Sequence, residues 1–168
     1  MSESDTEHLT AAVLADVEEY IRELPEINEQ NFDAFYDMAV RTLVRVDDMY
    51  SLSIAIMDLK IEGVTAHRAS QIAKDISFRA KEMMQRERRA DLGITEATWR
   101  YANAPCMDDP GNPTPAGVKR NAKHKAANGK RYVIAKGLMI DGKPSWPGRE
   151  PGCKCSSSPI IPGFRDKA

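Results

Sequence analysis

Nine of the ten prolines and eight of the ten glycines fall after residue 93, so long regular elements are possible only before that point. Proline fixes φ and removes a backbone donor, and glycine loosens the chain, so elements in a segment rich in both are short. Upstream, only Pro25 and Gly63 interrupt residues 1–92, and apolar residues recur there at helical spacing. All three cysteines lie downstream, within the Pro/Gly-rich segment.

Leu9, Val13, Val17, Ile21 and Leu24 step by three and four, which predicts an amphipathic helix over 8–24 that Pro25 ends. Asn31 is placed to cap a second helix with the stripe Phe32, Phe35, Ala39, Leu43, Val46 and Tyr50. Without a breaker before Gly63, that stripe extends to Ile61 as one long rod. Thr65 or Ser70 caps a third helix with Ile72, Ile76, Ala80 and Met83 on one face and Lys74, Arg79, Arg86, Arg88 and Arg89 on the other. Leu92-Gly93 is a glycine stop.

Beyond Gly93, Ile94, Trp99 and Tyr101 mark a short strand, and "RYVIAKGLMI" marks another. The fold class expected is therefore α+β. An acidic helical arm of about three helices (1–64) precedes a small, loop-rich α+β module with short strands (65–168).

Residues 1–58 hold three Arg against fourteen Asp/Glu, a local charge of −11, so residues 59–168 carry +10 of the overall −1. Such asymmetry suits two different partners or a head-to-tail self-contact. No apolar run reaches the length of a membrane span, and the polar start "MSESDTEH" is unlike a signal peptide. An odd cysteine count then points to reduced thiols in a cytosol-like compartment.

Cys106, His124, Cys153 and Cys155 form a Cys3His set, a ligand mix that suits one tetrahedral structural zinc. The Cys-x-Cys step is tighter than the usual zinc knuckle, and Cys153 and Cys155 could instead straddle a strand edge as small apolar side chains. His124 has two further readings: a hydrogen-bonded residue supporting an Asn128-Gly129 hairpin, or a general acid–base among Lys and Arg. Asp108, Asp109, Asp141 and Glu150 are carboxylates whose positions spacing does not fix. Lys119, Arg120, Lys123, Lys125, Lys130 and Arg131 are dense enough to attract phosphates or an acidic partner, and could equally form a solvated face.

The string "ASQIAKDISFRAKEMMQRERRADLGITEATWRYANA" resembles the core of the phage Mu F-like head morphogenesis family, the minor head proteins. Ile72-Ala73 opens the helix, Leu92-Gly93-Ile94-Thr95 is the turn, and Trp99-Arg100 lies on the strand after it. Asp108 or Asp109, Lys119-Arg120, His124, Asn128-Gly129-Lys130, Pro147-Gly148 and Cys153-Lys154-Cys155 follow in the family's order, with Lys154 where the family has Arg. The likeness covers about residues 66–162.

The resemblance implies a non-enzymatic capsid-associated protein that acts in head assembly near the portal. Its partners would be portal or capsid proteins, further copies of itself and packaged DNA, with no membrane. It would reside in the host cytoplasm during assembly and then in the virion head. Two alternatives carry different chemistry: a nucleic-acid-processing or toxin-like domain centred on His124, and a zinc-stabilised DNA-binding adaptor.

Overall fold

The computed structural model describes residues 9–45 and 49–163, with the side chain of Arg45 outside that description. Among the described residues the order is α1 (Ala11–Arg22), α2 (Phe32–Arg45), α3 (Met49–Asp58), α4 (Ala66–Asp91), β1 (Glu96–Arg100), α5 (Pro115–Ala127), β2 (Arg131–Val133), β3 (Leu138–Ile140), β4 (Lys143–Ser145) and β5 (Ser156–Pro159). The α+β class and the helical N-terminal region are as the sequence implies. The chain divides into two compact units, Met1–Met84 and Gln85–Ala168, so the division falls inside α4 and not at 64/65. No helix among the described residues is long and apolar enough to cross a membrane.

In the first unit α1 starts at Thr10, whose side chain accepts the Val13 N–H at 3.3 Å. Its stripe of Leu9, Val13, Val17, Ile21 and Leu24 is wholly buried. The expected rod is instead two helices, α2 and α3. Two helices let Phe35 and Ala39 share one core with Leu52 and Ile56, which a straight rod would hold apart. Val46 of the expected stripe lies outside the described residues. Asn31 precedes α2, but its side chain accepts the Asn28 N–H at 2.8 Å, which ties the preceding turn and leaves the helix uncapped by it.

Thr65, not Ser70, caps α4, with Oγ1 accepting from the Arg68 N–H. Arg79, expected on the exposed basic face, is buried against Asp16 in a fork at 3.1 and 3.2 Å. The helix ends in a Schellman motif: Gly93 N–H donates to Ala90 O and Ile94 N–H to Arg89 O, with Gly93 at φ 69.

The second unit is built on an antiparallel sheet in the order β2-β1-β5. β1 is central, pairing Ala97 with Tyr132 and Trp99 with Ser157, and three successive residues of it are buried. The expected "RYVIAKGLMI" strand is split into β2 and β3, because Gly137 at φ 72 turns the chain between them. β3 and β4 form a separate hairpin whose two-residue turn, Asp141-Gly142, has φ of 52 and 74. Positive φ at both positions is what a tight hairpin requires. α5 runs between β1 and β2, started by the Thr114 cap and Pro115 in its first turn.

Candidate metal centre

Four ligating atoms meet in the core of the second unit. The sulfurs of Cys106, Cys153 and Cys155 and one ring nitrogen of His124 all lie within 4.8 Å of one another. Cys106 and Cys155 are 3.4 Å apart, and His124 Nδ1 is 3.3 Å from Cys153 Sγ and 3.9 Å from Cys155 Sγ. A tetrahedral ion with metal–ligand bonds near 2.0–2.3 Å keeps its ligand atoms roughly 3.5–3.8 Å apart, so the cluster matches that size. The three cysteines are free, and the cluster could hold a metal ion.

Three segments place the four ligands. α5 carries His124, whose imidazole stands edge-on to Trp99 of β1 at 5.2 Å. Cys106 lies in the loop after β1 and is fastened by α5: Asn121 Oδ1 accepts both the Cys106 N–H at 2.8 Å and the Tyr101 hydroxyl at 2.9 Å. Arg120 Nε also donates to Cys106 O, and its Nη2 pairs with Asp108 at 3.3 Å.

Cys153 and Cys155 lead into β5. Gly148 N–H donates to Cys153 Sγ at 3.2 Å, and Cys153 N–H to Glu150 O at 2.9 Å. Gly152, at φ 67, passes so close to Met107 that a Cβ would stand 2.4 Å from its carbonyl carbon. Only glycine brings the two cysteine-bearing segments this near.

The electrostatics are those of donor atoms crowded together out of water. Hydrogen bonding from Cys153 and Cys155 pushes the Cys106 thiol far down, while Cys106 and Cys155 push the Cys153 thiol far up. Burial opposes charge on His124, yet contacts with Cys106 and Cys155 and the Glu150 carboxylate outweigh it and raise the group to about 11. A bound cation would displace protons from thiols and imidazole alike.

Glu150 approaches the other side of the ring, its Oε2 3.3 Å from His124 Nε2. The approach is ion-pair proximity, because Nε2 has no aligned hydrogen-bond acceptor. The contact holds the Glu150 carboxyl below its ordinary range, assisted by Arg120. A carboxylate behind a ligating histidine fixes ring orientation and raises its basicity.

All four sequence-expected ligands therefore come together. The hairpin expected at Asn128-Gly129 is absent: Asn128 ends α5, and Gly129 donates to Trp99 O. The basic residues divide. Lys119, Arg120 and Lys123 share one face of α5 beside His124 and line a common cavity, whereas Lys125, Lys130 and Arg131 do not line it. Arg131 instead pairs with Glu96 at 3.2 Å. Asp141 pairs with Lys123, and Asp109 accepts the Gly111 N–H.

Spacing alone missed Asn121 and Glu150 as supports of the ligands. No family model, curated protein or solved structure matches the chain.

Proposed function

We propose that this chain is a minor head protein of the Mu F-like class, whose second unit is held together by one structural zinc and performs no catalysis. The observation that carries the metal reading is the burial of all four ligand side chains, none more than 7% exposed. Catalytic zinc keeps a coordination position open to water and substrate, whereas a closed four-ligand set contributes folding energy. The residues that would hold the ion are Cys106, His124, Cys153 and Cys155, with Glu150 orienting His124.

The assembly role rests on the ordered motifs of residues 66–162. Trp99, His124 and the Cys153/Cys155 pair, far apart along the chain, meet in one core, which would give such an ordered pattern a physical reason. Partners would be portal or capsid proteins and further copies of the chain, met in the host cytoplasm and retained in the virion head. The acidic first unit would supply protein contacts, and the basic face of α5 would contact packaged DNA.

The alternative of a nucleic-acid-processing centre at His124 fits the geometry less well, because Nδ1 is turned toward sulfur and the side chain is 1% exposed. A zinc-stabilised DNA-binding adaptor would share the metal but not the assembly role. Co-expression with the portal and major capsid proteins of a Mu-like phage tests that role directly. The chain should co-sediment with assembled heads; heads that form normally and exclude it would overturn the assembly reading. DNA or RNA cleavage by the pure protein, abolished by His124→Ala, would overturn the non-catalytic one.

A further inference from the structure

A cavity of about 330 Å³ opens between α5 and the β3–β4 hairpin. Lys119, Arg120 and Lys123 line it from the helix, where steps of three and four residues put them on one face. Lys143 faces them from the hairpin, and Asp141 and Glu150 complete the charged lining. Both carboxylates are already engaged: Asp141 pairs with Lys123, while Glu150 faces His124 and accepts from the Ser145 hydroxyl. Arg120 reaches out to Asp108. Lys119 and Lys143 are exposed and have no ion-pair partner among the described residues.

Leaving His124 aside as a candidate metal ligand, four cations against two carboxylates give the lining two positive charges in excess. That excess matches a phosphomonoester, which carries about −1.5 to −2 near neutral pH. The volume exceeds what a bare phosphate fills, and Ala116 and Ile140 offer apolar surface to an attached organic group. A second observation comes from His124, which lines the same cavity and whose buried Nε2 lacks an aligned hydrogen-bond acceptor. With Nδ1 turned to sulfur, Nε2 is the ring atom on the cavity side, where Glu150 lies 3.3 Å away.

We infer that this cavity binds a terminal phosphate carried on a small organic group, either a free nucleoside monophosphate or the 5′-phosphorylated end of a nucleic acid. Lys119 and Lys143 close on the phosphate from opposite walls, and Arg120 and Lys123 supply the field behind it. The site does not depend on the assembly role, and it shares His124 and Glu150 with the proposed metal centre.

Titration calorimetry of the full chain at low salt tests it with four probes: adenosine monophosphate, adenosine, and one oligonucleotide with and without a 5′-phosphate. Adenosine monophosphate should bind and adenosine should not. The double variant Lys119→Gln/Lys143→Gln should weaken binding by about tenfold or more, since charge-assisted contacts are lost at two exposed positions. Lys125→Gln/Lys130→Gln, outside the cavity, should leave it unchanged.

A phosphorylated oligonucleotide that binds more tightly than adenosine monophosphate identifies nucleic-acid ends as the source; the reverse order identifies the free nucleotide. Binding that ignores the terminal phosphate, binding unaltered in the Lys119/Lys143 variant, or no binding of any phosphorylated probe overturns the inference.

Discussion

His124 lies between two chemically opposite neighbours, with Cys153 Sγ 3.3 Å from Nδ1 and the Glu150 carboxylate 3.3 Å from Nε2. The ring is therefore oriented from behind by a group that is itself partly exposed. Glu150→Gln keeps the shape and removes the charge, so metal affinity should fall by about tenfold to a hundredfold while the loaded protein keeps its fold. Competition with a chromophoric zinc chelator measures this. Unchanged affinity would remove Glu150 from the site.

Gly152 allows the Cys153 segment to pass against Met107. Gly152→Ala would meet backbone atoms at 2.4 and 2.6 Å in a conformation that side chains avoid, and should destabilise the second unit by at least about 2 kcal/mol. Gly163→Ala shares the positive φ but meets nothing within 4 Å, and should cost about 1 kcal/mol. Thermal unfolding of the two variants separates collision from backbone strain.

Arg79 and Asp16 form a buried fork joining α4 to α1, with side chains 8% and 4% exposed. Arg79→Met leaves Asp16 as a buried, less compensated charge, and should cost about 3–5 kcal/mol. The double change Arg79→Met/Asp16→Leu should recover most of that loss, because two apolar side chains need no mutual compensation. Urea unfolding curves for both variants check it; a double variant as unstable as the single would contradict the account.

Glu26 is paired with Arg68 at 2.5 Å, and this contact lowers its carboxyl below the ordinary 4.5. A depressed carboxylate contributes stability that is complete above the unfolded value and is lost as pH falls through the folded one. Glu26→Gln should therefore cost on the order of 1 kcal/mol at pH 7, and the difference from the unaltered protein should shrink as pH falls below about 4.5. Urea titrations from pH 7 to 3 follow that convergence; a constant difference would argue against the pair as its source.

The helical half was legible because its stripes are long compared with the 3.6-residue period: every apolar position expected on α1 is buried. The break between α2 and α3 was hidden, since the apolar spacing runs through it without proline or glycine. α5 was hidden for another reason. Gly117 and a run of charges obscure its pattern, although Thr114-Pro115 is a start signal. Gly117 is retained where a Cβ would come within 3.1 Å of Met107 Cβ, a tertiary demand that propensity does not register.

The metal ligands were legible as a set because Cys and His are scarce in this chain. Their supports were not. Asn121 and Glu150 acquire their roles only when the loop, α5 and the approach to β5 close on one another. Asp141-Gly142 carried a hairpin signal within the sequence, and the single strand expected through "RYVIAKGLMI" stopped immediately before it.

Elemental analysis of the full chain, purified without added metal and without chelator, tests the central claim most directly. One zinc per chain is expected, lost together with the fold of the second unit when Cys106 and Cys155 are replaced by Ser. Less than about 0.2 zinc per chain in a folded protein would contradict a tight structural site.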